Sequence, residues 1–251
     1  MKRNNKNDLK RLIIAIIIII LSALIGYLLP NDENEVTKNT NVIENEKSIN
    51  IDIENIPEYS GSIVINLNND IPNFEEKDLS TEEFEFYSEL DELGRAGVAF
   101  ANISKYTMPP EGTKRSGLSY KPTGWEQYLY GENNSNHLYE RCHLIAWQLG
   151  NENNNKKNLI TGTSQMNSAM IEYENMVANW IKTNNKQGNN YHVLYRVTPI
   201  YENNNLLATG VEIEAKSVEE DGVSFNKFIY NIHDDFDIDY YTGKASLKTS
   251  N

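Results

Sequence analysis

Residues 12–29 read LIIAIIIIILSALIGYLL, 18 positions without a charge, and they come after Lys2, Arg3, Lys6, Lys10 and Arg11. A helix rising about 1.5 Å per residue needs about 20 apolar residues to cross a hydrocarbon core, so this run is near the length required. The basic flank stays on the cytoplasmic side by the positive-inside rule, which sends everything after Pro30 across the membrane. A cleaved secretory signal is the alternative reading. It is disfavoured because its apolar core is usually about 7–15 residues and Gly26–Pro30 offers no small-x-small site. The expectation is a cytoplasmic basic tail at 1–11, a transmembrane anchor or signal segment at 12–29, a disordered acidic tether at 30–58 and one folded domain at 59–251. The tether is inferred from composition: 31–58 is rich in Asn and Glu, poor in aromatics and too polar to bury a core.

Charge is unevenly spread along this chain. The formal total is −13, yet residues 1–30 sum to +4 and 101–200 to +3, while 31–58, 59–100 and 201–251 carry −6, −8 and −6. The acid therefore lies outside the middle hundred residues, and a mildly basic centre is left open to a polyanion. Cys142 is the only cysteine, which excludes an intrachain disulfide and a cysteine-based zinc site.

Strand signals bracket one helix. Ile63–Ile65 and Gly97–Ala101 read as short strands, and 191–201 (YHVLYRVTPIY) with 206–217 (LLATGVEIEAKS) alternate around Glu202–Asn205, predicting a hairpin with a four-residue loop. Val223–Ile232 adds a third antiparallel strand. Between the early and late strands, Gln165–Lys182 places Met166, Met170, Tyr173, Val177 and Trp180 at helical spacing. Strands distant in sequence with a helix between them predict an α+β fold, an antiparallel sheet flanked by helices.

The residues suited to chemistry fall between these strands. His143 can take a proton at neutral pH. Asn167 and Glu174, seven apart on the helix, project from one face, which the apolar stripe predicts to be the face opposite Met170 and Val177. If that face meets His143, a carboxamide oxygen, a carboxylate and an imidazole converge, and hard oxygen donors with retained water suit Mg²⁺. Arg141, Lys114, Arg115 and Lys121 are near enough in sequence to hold phosphate oxygens.

Taken in order, the motifs carry a resemblance. Glu140-Arg141-Cys142-His143 resembles the Asp-Arg-Gly-His motif of the DNA/RNA non-specific endonucleases, the His-Me finger or ββα-metal enzymes. LYERCHLIAWQL, NLITGT, ENMVANWI and VLYRVTPIY, with the upstream GRAGVAFANISK, MPPEGT and KPTGW, resemble exported DNA-entry-type nucleases of Gram-positive bacteria over about Asp91–Gly243. The resemblance implies a ββα-metal site on the α+β fold, with His143 as general base and Asn167 as metal ligand. It also makes Asn158 a supporting catalytic residue, Arg141 part of the catalytic motif, and Glu174, with Glu172 as the other alignment, the glutamate that orders water. Mg²⁺ is the implied cofactor, Mn²⁺ an alternative, and DNA and RNA the partners. In the chain's own pattern Cys142 stands where glycine is commoner and reads as a small packing residue, and Ser164-Gln165 stands where close relatives carry Arg-Tyr. The implied function is a membrane-anchored or secreted, Mg²⁺-dependent endonuclease with an extracellular catalytic domain. Its rivals are a surface DNA-binding protein that does not cut and an adhesive module.

Overall fold

The structure, a computed structural model, describes residues 56–249, and these belong to one compact unit. The anchor at 12–29 and nearly all of the tether lie outside the described residues; among the described residues no helix is long and apolar enough to cross a membrane. In chain order the strands are β1 (Val64–Asn66), β2 (Phe84–Tyr87), β3 (Ala99–Ile103), β4 (Leu129–Tyr130), β5 (Asn136–His137), β6 (Tyr139–His143), β7 (Leu159–Thr163), β8 (Val193–Ile200), β9 (Gly210–Ser217), β10 (Ser224–Tyr230), β11 (Phe236–Ile238) and β12 (Ala245–Leu247). The helices are α1 (Trp147–Gly150) and α2 (Ser164–Asn184). Six strands form an antiparallel sheet in the order β1-β10-β9-β8-β3-β2, and the other strands pair as β4-β5, β6-β7 and β11-β12.

The hairpin and its third strand are present. β8 and β9 pair from Val193↔Ser217 to Ile200↔Gly210, and β10 adds to β9 with Phe225 opposite Ala215. The expected four-residue loop is corrected. A turn does close Glu202–Asn205, where the Asn205 N–H donates to the Glu202 carbonyl at 2.9 Å, but it sits inside a longer connection, 201–209. Leu207 and Ala208 in that connection are buried, so the apolar residues that suggest strand serve as packing.

Alternation along β8 and β9 sorts side chains onto two faces. Tyr195, Val197, Ile213 and Ala215 join Ala99, Ala101 and Ile103 in a core that α2 covers with Met166, Met170, Val177 and Ile181. The opposite face is also buried, although it carries Arg196, Glu212, Glu214, Asn102 and Asn226. The preceding segment crosses it. Arg196 Nη2 donates to the Asn73 carbonyl at 3.0 Å, Glu214 Oε2 accepts from the Asn73 N–H at 2.6 Å, and Asn102 Nδ2 donates to the carbonyls of Ser80 and Glu82. Phe74 stacks on Phe100 at 5.7 Å, and the Arg196 guanidinium lies over both rings. Polar side chains here satisfy backbone that a sheet ladder does not reach.

The β6-β7 ribbon has no counterpart among the strands expected from sequence. It pairs His143 with Leu159 and Tyr139 with Thr163, then runs directly into α2, forming a ββα unit. Thr163 caps the helix, its Oγ1 accepting from the Met166 N–H at 3.0 Å. Close approach of helix and ribbon requires Gly162, where an added Cβ would lie 2.5 Å from Cys142 Sγ and 2.3 Å from Met166 Cε. Cys142 is fully buried there and burial pushes its thiol pKa up, so it packs and is no nucleophile.

Candidate active site

His143 ends β6, and the turn after it fixes its ring. The Asn158 carboxamide clamps Ile145, accepting from its N–H at 2.8 Å and donating to its carbonyl at 2.9 Å, while the Asn158 carbonyl accepts from the Leu144 N–H. The chain then makes α1, leaves it through Asn151 in the left-handed region (φ 56) and returns along an asparagine run. Within that run the Asn153 carbonyl lies 2.7 Å from His143 Nε2. A carbonyl only accepts, so the imidazole proton resides on Nε2 and the Nδ1 lone pair is left for other work. Arg115 Nη2 donates to it at 3.1 Å.

A cavity of about 340 Å³ collects most of the expected residues: Arg115, Arg141, His143, Asn167 and Glu174 all line it. Arg141 is held from behind, its Nε donating to the Tyr120 carbonyl at 2.7 Å and its guanidinium 4.4 Å above the Trp125 ring. Asn167 is half-buried, and no hydrogen bond within the described residues engages its carboxamide. Glu172 and Glu174 separate cleanly. Glu174 is buried on this cavity, whereas Glu172 is exposed and lines a different one, about 420 Å³, on the other flank of α2.

The expected helix face is corrected. At about 100° per residue Glu174 lies only about 40° from Met170 and about 60° from Val177, so it shares the edge of the buried stripe. Sequence periodicity suggests an opposite, solvated face because a carboxylate is polar by default. Burial has a consequence for Glu174: its pKa is pushed up to about 7, tempered by the Gln148 amide and by Arg115. His143 moves the other way, to about 4, chiefly because burial disfavours the imidazolium; the Asn153 carbonyl opposes this and Arg115 adds to it.

Three expected residues stand apart. Asn158 is fully buried and both its side-chain polar atoms are spent on Ile145, so it positions the turn after His143 and does not reach the cavity. Lys114 and Lys121 are exposed and do not line the cavity. Asn158→Ala would strand a buried N–H and a buried carbonyl at about 1–3 kcal/mol each, and urea denaturation should show a loss of about 2–6 kcal/mol.

Sequence reasoning misses Asn153 and Asn154. Asn153 Oδ1 accepts from Arg115 Nε at 2.9 Å and its Nδ2 donates to Ser116 Oγ at 2.6 Å. Asn154 Oδ1 accepts from the N–H groups of Ser119 and Tyr120. The run thus seats the loop that carries Arg115. The one signal is Asn density beside a candidate histidine, which composition alone reads as ordinary loop.

The site can do general-base chemistry beside an anion. An unprotonated imidazole Nδ1, held by Arg115, shares a cavity with a second arginine, an unengaged carboxamide and a carboxyl whose pKa lies near neutral pH. A profile of the DNA/RNA non-specific endonuclease family matches residues 72–219. Among solved structures, NucA from Streptococcus agalactiae with magnesium bound is similar at 26% identity and TM-score 0.66, covering 78% of this chain and 92% of that one. The metal-free form of the same protein gives TM-score 0.65 at the same identity and coverage. The Sda1 nuclease with bound zinc is similar at 28% identity and TM-score 0.55, over 66% of this chain and 81% of that one. No curated protein matches the sequence. With the family profile spanning more than half of the chain, and two nucleases matching over most of their own length, the chain belongs to the DNA/RNA non-specific endonuclease family and is a metal-dependent endonuclease.

Proposed function

We propose that the protein is an exported, membrane-anchored, Mg²⁺-dependent endonuclease that hydrolyses DNA and RNA with little base preference, using the β6-β7-α2 unit as a His-Me finger. The observation that carries this reading is the convergence of His143, Asn167, Glu174, Arg115 and Arg141 on one cavity. His143 Nδ1 takes a proton from water, the water oxygen bonds to phosphorus, and the bond to the 3′-oxygen breaks. The products are a 5′-phosphate and a 3′-hydroxyl, the latter protonated from solvent. Arg115 and Arg141 hold the non-bridging oxygens, and Arg115 leaves Nδ1 when it turns to the phosphate. Phosphate contacts carry no base information, which supports a broad substrate range.

The donor set fits a hydrated hard cation. Asn167 offers an unengaged carboxamide oxygen, and a positive charge in the cavity would favour the carboxylate form of Glu174, whose pKa near 7 leaves it easily tipped. Asn167 would hold the cation and Glu174 would order its water. When bound, a divalent cation supplies Lewis-acid stabilisation of charge on the phosphate and leaving oxygen. The surface location rests on the charge-free run 12–29 and its basic flank.

A zymogram with DNA or RNA cast in the gel tests the reading. Clearing of both substrates with Mg²⁺ and none in excess EDTA is the expected result. Clearing that survives EDTA overturns the metal role, and DNA retardation without clearing in either condition identifies a binder that does not cut.

A further inference from the structure

The chain has three tryptophans, and two have clear packing duties. Trp125 packs beside Leu138 and Tyr139 and carries Arg141 on its ring; Trp180 packs on the main core and against Tyr191. Trp147 belongs to no core cluster among the described residues. It is half-buried at the first position of α1, four residues after His143, and forms part of the cavity wall. Ile171, 40% exposed on α2, and Leu118 line the same cavity. One exposed and two half-buried apolar side chains, none in a core cluster, at a site with two arginines are unexplained by phosphate chemistry. A nucleotide has the matching pair of features, an anionic phosphate and a flat apolar base.

We propose that Trp147, with Ile171 and Leu118 in the same cavity wall, is a stacking shelf for the nucleobase next to the scissile phosphate; this rests on the nuclease reading above. Every base presents a π-face, so a shelf of this kind adds affinity without base choice. A base must leave its own stack to lie on it, so single strands bind more tightly than duplex. Trp147 thus acts on substrate binding and strand preference, while the proton transfer stays with His143.

The test compares a short fluorescein-labelled single strand with the same phosphodiester backbone built from tetrahydrofuran abasic units. Binding is read by anisotropy in EDTA and cleavage by KM and kcat with Mg²⁺. Trp147→Ala should raise Kd and KM for the base-bearing strand by about tenfold or more and leave those for the abasic backbone unchanged. Trp147→Phe should restore most of the affinity, and Ile171→Ser, at an exposed position, should shift Kd in the same direction by a smaller factor. Equal losses on base-bearing and abasic strands, or no loss with any variant, would overturn the shelf. A parent that binds with base-dependent affinity yet never cuts refutes the nuclease reading and leaves the shelf standing. A parent that cuts, but whose base-versus-abasic ratio ignores Trp147, does the reverse.

Discussion

His143→Ala should lower the rate of plasmid cleavage in Mg²⁺ by about 10²–10⁴-fold while the protein stays folded and still binds DNA in EDTA. The size reflects the loss of a single acceptor. Nε2 is committed to the Asn153 carbonyl, so the ring presents one atom, Nδ1, as an acceptor on the cavity, and no other imidazole lines it. With a pKa near 4, His143 is neutral throughout the neutral range, so protonation of this residue should not limit activity down to about pH 5. The same shift has a stability counterpart. A histidine whose folded pKa lies below its unfolded value of 6.5 contributes stability that is fully present above about pH 6.5 and is lost as the pH falls towards 4. The shift corresponds to a contribution on the order of 3 kcal/mol. Unfolding of parent and variant by urea between pH 4 and 7 should therefore converge at the acid end. A variant that cuts plasmid at the parental rate would remove His143 from the chemistry.

The sheet is legible in the sequence where local pattern and tertiary burial agree. Tyr195, Val197, Ile213 and Ala215 alternate with Arg196, Glu212 and Glu214, and the period of two alone places β8 and β9. What alternation cannot show is that the polar face is buried, because its cover comes from Asn73 and Phe74, more than a hundred residues earlier. Alternation alone does not place the ribbon, which only the motif resemblance implies, for a related reason: β6 and β7 are short, and their strand character depends on pairing with each other across the α1 turn. Ordered motifs point to His143, Asn167, Glu174 and Arg141, which the fold brings together; Arg115 is one of three nearby cations, and it alone of the three lines the cavity. Asn158 has a place in the motif, yet its carboxamide is used on the Ile145 backbone. Asn153 is invisible in the sequence because its contribution to His143 is a carbonyl, which any residue type supplies.

Arg196→Met should be the most destabilising single change on the face away from the cavity. Arg196 Nε donates to Glu214 Oε1 at 2.7 Å, and the two side chains are among the most buried charges in the described residues. Glu212 lies on the same face, 3% exposed, with a pKa pushed up to about 7 by burial first and by Glu214 second, while Asn226 and Arg196 hold it down. Removing the guanidinium leaves Glu214 buried without its cation, withdraws one of the influences restraining Glu212, and frees the Asn73 carbonyl. Breaking a buried pair in this way costs about 3–5 kcal/mol. Glu212 sets the sign of the pH effect: its folded pKa lies above the unfolded 4.5, so the folded state binds more protons and stability falls as pH rises from about 4.5 through 7. Without Arg196 that fall should steepen, so urea midpoints of variant and parent should differ most near pH 8 and least near pH 5. Arg196→Met paired with Glu214→Leu should recover much of the loss, since replacing both charges with apolar groups of similar volume is often neutral or stabilising. Two single losses that simply add would show that Arg196 and Glu214 are not energetically coupled and that the cover of this face rests on Phe74 and Phe100 instead.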